Sequence, residues 1–290
     1  MERFKGVFPA LLTPFDSEGR VNEKALEALV EMNLKKGVKG FYVGGSTAEA
    51  FLLTESEREG IYKSVAEVVN KRCTLIAHVG CPGTLQTIHF AKIAEKCGYD
   101  AVSSVAPFYY KYSAEEIRAH YNAVVDSVSL PMIIYNIPAF SGVSMSTADV
   151  CKYFEDDRFI GIKHTSNDFF ALEQYKSARP DKIVYNGYDE MFLAGLSMGA
   201  DGGIGSTYNF MAEKFIEIER LFKACEIDAA REVQKVANKI IAVLCKVGVM
   251  QGEKAVLTLM GYDFGDCRPP FKKLSKDDIK LIEKEIMPLL

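Results

Sequence analysis

Phe159-Ile-Gly-Ile-Lys-His-Thr-Ser166 is an apolar run that ends in polar residues. Its β-branched and aromatic content predicts a buried strand from about Ile160 to His164. Period-two alternation sets Gly161, Lys163 and Thr165 on one face and Ile160, Ile162 and His164 on the other. Lys163 therefore occupies a place where an apolar residue is expected. Desolvation penalises an ammonium and drives it toward the neutral amine, which can attack a ketone and form a Schiff base. Gly161 leaves space beside it. The strand by itself equally allows a lysine paired with a buried carboxylate, or one that snorkels from a strand end.

Runs of this kind recur roughly every 25 to 30 residues, each followed by an amphipathic stretch of helical length. They lie near Val7 to Leu12, Gly40 to Gly44, Thr74 to Val79, Ala101 to Ala106, Met132 to Asn136, Ile160 to His164, Ile183 to Asn186 and Gly202 to Gly205. Thr54-x-x-Glu57, Ser113-x-x-Glu116 and Ser146-x-x-Asp149 have the pattern of capping boxes and start helices after the second, fourth and fifth strands. Eight βα units predict an α/β fold, a (β/α)8 TIM barrel; an open doubly wound sheet is the alternative. Further helices are expected at Ala229 to Lys246, Glu253 to Met260 and Ser275 to Leu290, with Gly265 and Pro269-Pro270 interrupting the pattern. The expectation is a single domain over 1–290, with the barrel at about 1–224 and a C-terminal helical appendage at about 225–290.

The 290 residues are 48% hydrophobic and 26% charged, which suffices for a large core. A formal charge of −4 provides no basic stripe, so nucleic-acid binding is not expected and a small-molecule partner is. Seven scattered cysteines show no C-x-x-C pair and read as reduced thiols of a cytoplasmic protein. Neither an export signal nor an 18-residue apolar run is found, so no membrane association is expected. His78, His89, His120 and His164 form no ligand-spaced cluster; no metal and no other cofactor is expected.

In a barrel enzyme the residues that end the strands face the site. Gly44-Gly45-Ser46-Thr47 follows Phe41-Tyr-Val43 and offers amides and hydroxyls suited to a carboxylate, or is a solvated loop. Tyr135 and Asn136 end the fifth strand, where a phenol can relay a proton or be a hydrogen-bonded core group. After Tyr185-Asn186 come Gly187-Tyr188-Asp189-Glu190, whose carboxylates can hold sugar hydroxyls; for Asp189, capping of the following helix is the simpler reading. Gly205-Ser206 places a backbone donor beside a hydroxyl at the end of the eighth strand.

In this order, Gly44-Gly-Ser-Thr47, Tyr135-Asn-Ile-Pro138, Gly161-Ile-Lys163 and Gly187-Tyr-Asp-Glu190 resemble the N-acetylneuraminate lyase and dihydrodipicolinate synthase superfamily over nearly the whole chain. The resemblance implies a (β/α)8 barrel, a lysine that forms a Schiff base with pyruvate, and a homotetramer. The synthase branch commonly carries an arginine after Tyr-Asn-x-Pro, where this chain has Ala139-Phe140-Ser141-Gly142. Pro107-Phe-Tyr-Tyr110, Lys163-His-Thr-Ser166 and Gly187-Tyr-Asp-Glu190 are similar to the neuraminate lyase branch. That branch implies cleavage of N-acetylneuraminate to N-acetylmannosamine and pyruvate. It implies Lys163 as nucleophile, Tyr135 as proton relay, and Ser46 and Thr47 on the pyruvyl carboxylate. Thr165, Gly187, Asp189, Glu190, Gly205 and Ser206 would hold the polyhydroxyl tail, and Tyr109 would assist the relay across a subunit boundary. Ala48 departs from the branch's Gly-Ser-Thr-Gly-Glu; a positive φ there would cost about 1–2 kcal/mol. Another pyruvate-dependent lyase, or a non-catalytic keto-acid-binding barrel, would share this fold and pocket.

Overall fold

A computed structural model describes residues 1–290. The elements run β1 Gly6–Pro9, α1 Glu23–Lys36, β2 Gly40–Val43, α2 Glu55–Val69, β3 Thr74–His78, α3 Thr84–Lys96, β4 Ala101–Val105, α4 Ala114–Val125 and β5 Met132–Asn136. They continue with α5 Pro138–Ser141, α6 Thr147–Tyr153, β6 Phe159–His164, α7 Phe169–Ala178, β7 Ile183–Asn186, α8 Phe192–Ser197, β8 Gly202–Gly205 and α9 Tyr208–Lys223. After them come α10 Ile227–Val247, α11 Val249–Leu259 and α12 Lys276–Glu285. All eight strands pair in parallel in the order β1-β8-β7-β6-β5-β4-β3-β2. The ring closes between β1 and β2, where Lys39 N–H donates to Val7 O (3.1 Å) and Leu11 N–H to Tyr42 O (2.9 Å). Closure leaves no unpaired edge, which excludes the open doubly wound alternative.

Reciprocal capping boxes start α2 at Thr54/Glu57 and α4 at Ser113/Glu116. At α6 only half of the expected box forms: Ser146 accepts from Asp149 N–H, while the Asp149 carboxylate takes the Ser146 hydroxyl. One large apolar layer lies between strands and helices, and a second, with Phe8, Tyr42, Ile76, Ile133, Tyr185 and Ile204, fills the barrel. Phe4, in the turn Glu2–Phe4, joins this inner cluster, and its carbonyl accepts from the Tyr185 hydroxyl. The barrel is thus filled from the N-terminal side and open for chemistry at the other end.

The alternation expected in β6 holds with one correction. Met132 pairs with Phe159 but Ile133 with Gly161, so Ile160 is an extra, bulged residue, and it packs in the inner cluster instead of the outer one. Beyond the bulge, Ile162 joins the outer core and the His164 ring lies 5.4 Å from Tyr175 of α7. Lys163 faces inward. A Cβ on Gly161 would stand 2.3 Å from Ile183 O, a backbone atom with no freedom to yield. Gly161→Ala is therefore expected to destabilise the protein by about 1–3 kcal/mol, read as a lowered urea midpoint at unchanged slope. An unchanged midpoint would show that the strand has slack.

Regular β1 ends at Pro9, short of the expected Leu12; Ala10 and Leu11 still donate to Gly205 O (2.8 Å) and Tyr42 O (2.9 Å), and the Leu12 amide turns away to the Asn209 side chain (3.2 Å). The helix α10 lies against α8, α9, α11 and α12, covering the last barrel helices. No helix is long and apolar enough to cross a membrane.

Candidate active site

At the carboxyl ends of the strands lies a cavity of about 730 Å3, walled by the loops after β2, β5, β7 and β8, with α10 and α11 at its side. Ser46, Thr47, Tyr135, Lys163, Thr165, Gly187, Asp189, Glu190 and Ser206 all line it. Gly205 does not; it lies behind Asp189, whose Oδ1 would be 2.0 Å from a Cβ at that position. Its role here is to leave room for the carboxylate.

Lys163 is 5% exposed, which excludes snorkelling. Its Nζ stands 4.5 Å from the Tyr42 ring centre and 4.3 Å from that of Tyr135, with no carboxylate at ion-pair distance. Burial lowers its pKa from 10.5 to about 7, against a smaller opposing pull from Asp189. Near neutral pH a large share of this lysine is free amine.

Burial pushes the Tyr135 phenol up to about 12. The Ser46 and Thr165 hydroxyls stand close enough to hold it from rising further, although the buried Thr165 Oγ1 makes no hydrogen bond of normal geometry. His78 packs edge-on to Tyr135, its ring centre 5.7 Å away. Burial depresses its pKa to about 3, so the ring is neutral: Nδ1–H donates to Gly44 O (3.0 Å) and Nε2 accepts from Val105 N–H (3.3 Å). His78 is a packing residue and fixes both the phenol and the start of the serine-threonine turn.

That turn is a short 3-10 helix, Ser46–Ala48, closed by Ala48 N–H to Gly45 O and Glu49 N–H to Ser46 O. The amides of Ser46 and Thr47 are not consumed by it. The strain expected at Ala48 is absent, because positive φ falls on Gly44 (77°) and Glu49 (56°). Glu49 is held in that conformation from outside: its carboxylate pairs with Lys254 Nζ at 2.6 Å and accepts from Arg268 N–H at 2.7 Å.

On the opposite wall, Asp189 does act as a cap, but for α9 and not for the helix that follows it. Its Oδ2 accepts from Thr207 N–H (2.8 Å) and Thr207 Oγ1 (2.6 Å). Burial raises its pKa to about 6. A Cβ on Gly187 would come within 1.9 Å of Thr165 Oγ1, so glycine is what lets these two loops meet. Gln234 and Asn238 of α10 hold the carbonyls of Asp189 and Glu190 at 3.1 and 3.0 Å, leaving the Glu190 side chain exposed at the cavity. Phe140, 75% exposed, stands at the rim, and Lys163 is the one cation in the lining.

Two groups escaped the sequence reading, the Lys254–Glu49 pair and Glu253, which is fully buried and 2.5 Å from Ser206 Oγ. Adjacent charges in front of Ala255-Val256-Leu257 were the available signal. Tyr109 is 86% exposed at φ 81° and does not reach the cavity of its own chain. No group of three or more His, Cys, Asp or Glu side chains is placed to hold a metal ion.

The model of the dihydrodipicolinate synthetase family matches residues 3–287. The chain belongs to that family. Among its relatives, the N-acetylneuraminate lyase of Rhizobium meliloti is 43% identical over 288 residues, which is 99% of this chain and 96% of that one. The crystal structure of CdNal from Clostridium difficile in complex with mannosamine superposes with a TM-score of 0.97 at 38% identity, covering 99% of both chains. That of N-acetylneuraminate lyase from Fusobacterium nucleatum superposes at 0.95 with 37% identity, again over 99% of each.

Proposed function

We propose that this chain is a Schiff-base aldolase that cleaves N-acetylneuraminate reversibly to N-acetylmannosamine and pyruvate. The observation that carries the reading is the Lys163 amine, buried, without an ion-pair partner and with its pKa lowered to about 7, facing a cavity among hydroxyl-bearing side chains. Lys163 adds to the keto carbon and water leaves, giving a cationic imine. The imine draws electrons from the carbon–carbon bond as it breaks, while the substrate hydroxyl at the cleaved carbon loses its proton and becomes the aldehyde. The enamine left behind takes a proton and hydrolysis returns pyruvate and the amine. Tyr135 relays the proton, its high pKa keeping it a phenol between turnovers. Ser46 and Thr47 bind the carboxylate, and Thr165, Gly187, Asp189, Glu190 and Ser206 the sugar chain, with Gly205 supporting Asp189.

Phe140 favours this substrate over an amino-acid semialdehyde, since no cation at the rim awaits a second carboxylate. The names of the relatives point the same way. The same reading takes 1–290 as one folding unit, because α11 of the appendage supplies groups that touch both walls of the cavity. It also includes a cytoplasmic homotetramer, supported by seven unpaired cysteines and by the exposed Tyr109 and Tyr110. The test is pyruvate release from N-acetylneuraminate, with aspartate semialdehyde as the competing substrate; faster condensation of the latter than of N-acetylmannosamine would overturn the assignment. Glu190→Ala is expected to lower kcat/KM for N-acetylneuraminate by roughly tenfold to a hundredfold, since a charge-assisted hydrogen bond contributes about 1.5–3 kcal/mol. Trapping of the pyruvate imine is expected to survive in that variant.

A further inference from the structure

Glu253 is a buried acid for which the reaction above has no use. It sits on α11 with no exposed surface, and its Oε1 is 2.5 Å from Ser206 Oγ while Oε2 has no hydrogen-bond partner. The neighbouring ammonium gives it nothing, because Lys254 Nζ is committed to Glu49 (2.6 Å) and to Asp266 O (3.3 Å). A carboxylate in a dry site with one hydrogen bond is poorly stabilised, so the neutral acid is favoured. Of its two oxygens only Oε1 has a partner, the Ser206 hydroxyl, which donates to it when Glu253 is ionised and can accept from it when Glu253 is the neutral acid.

Ser206 is half-buried and lines the cavity. Its carbonyl accepts from Asn209 Nδ2 (2.7 Å) and from Asn209 N–H (3.1 Å), and Asn209 Nδ2 is also anchored on Ala10 O (2.6 Å). The backbone is therefore fixed and the hydroxyl torsion is its remaining freedom. A hydroxyl that accepts from Glu253 must turn its own proton elsewhere, and the cavity is the open direction; one that donates to an ionised Glu253 offers only lone pairs.

We infer that Glu253 is a positioning residue that sets the polarity of the Ser206 hydroxyl, which in the neutral-acid state donates to an acceptor oxygen of the bound sugar chain. This deepens the proposed reaction and rests on it for the identity of the ligand. Burial, aided by the nearby Asp189 and opposed by Ser206, raises the Glu253 carboxyl to about 8. The titratable groups that face it are Asp189, after β7, and Cys267, between α11 and α12; Cys267 also senses the Lys254–Glu49 pair. Cys267 is itself pushed up to about 12 and Asp189 lies near 6, so the ionisation of Glu253 stands apart from both.

The first test needs no substrate. An infrared difference spectrum of the free enzyme at about pH 7 is expected to contain a protonated-carboxyl band that vanishes in Glu253→Gln and shifts in Ser206→Ala. Absence of the band, or its indifference to Ser206→Ala, refutes the inference whatever the enzyme's substrate proves to be. The second uses N-acetylneuraminate. In the wild type, KM is expected to rise above about pH 8; Glu253→Gln, whose amide remains a donor, keeps KM within about threefold at pH 7 and abolishes that rise. Glu253→Leu is expected to raise KM about tenfold with little change in kcat, and to add nothing on top of Ser206→Ala. A Leu variant with unaltered KM, or additive effects in the double variant, overturns the proposal. A wild type that releases no pyruvate from this sugar removes the functional reading instead, and the infrared result still decides the role of Glu253.

Discussion

Lys163→Met is expected to retain the fold and lose at least about 10^4-fold in kcat/KM, because no other amine lines the cavity. Borohydride added with pyruvate is expected to leave a stable adduct on Lys163 of the wild type, located by mass spectrometry, and none on the variant. An adduct on another lysine, or residual activity above that margin, would remove the mechanism. The pH dependence follows from the depressed pKa. The reactive species is the free amine, so imine formation falls about tenfold per unit below roughly pH 6 and levels off above about 8. Stability moves with it. The folded state binds the Lys163 proton only below about 7, the unfolded chain up to about 10.5, so this group costs stability at neutral pH and the cost disappears as pH rises through that window. Lys163→Met, which buries no charge, is therefore expected to melt higher than the wild type near pH 7. A lower melting temperature would mean that the ammonium is stabilised by contacts not visible around Nζ.

Tyr135→Phe is the second large effect, a loss of about 10^2- to 10^4-fold in kcat, the range for removing a positioned acid–base group. The packing it leaves behind is nearly unchanged, since the ring contacts with Tyr42 and His78 need no hydroxyl. KM and thermal stability are thus expected to stay close to those of the wild type, which separates loss of the relay from collapse of the site. If kcat fell less than tenfold, the proton would have to travel by another route, and the Ser46 and Thr165 hydroxyls beside the phenol would be the next groups to remove.

Much of this was legible in the chain because it is local. Strand lengths, capping residues and the break in an apolar run at Lys163 follow from period and propensity within a few residues, and eight repeats of one unit leave a barrel as the simplest closed arrangement. The strand-end rule then brought Ser46, Tyr135, Lys163, Glu190 and Ser206 to one cavity. What alternation could not anticipate was the bulge at Ile160, since a bulge is a mismatch between two strands and neither strand encodes it alone. The positive φ at Glu49 in place of Ala48 is of the same kind, imposed by Lys254 and Arg268 from more than 200 residues away. Asp189 caps a helix other than its own for a similar reason: which orphan amides a carboxylate meets depends on where β8 ends, not on its neighbours in sequence. The amino-acid sequence by itself determined the elements, their order and the place of Lys163 inside an apolar strand. Tertiary structure decided the ionisation of that lysine, the conformation of the loop beside it and the pairing of Glu253 with Ser206, because desolvation and hydrogen bonding depend on which groups are brought together in three dimensions.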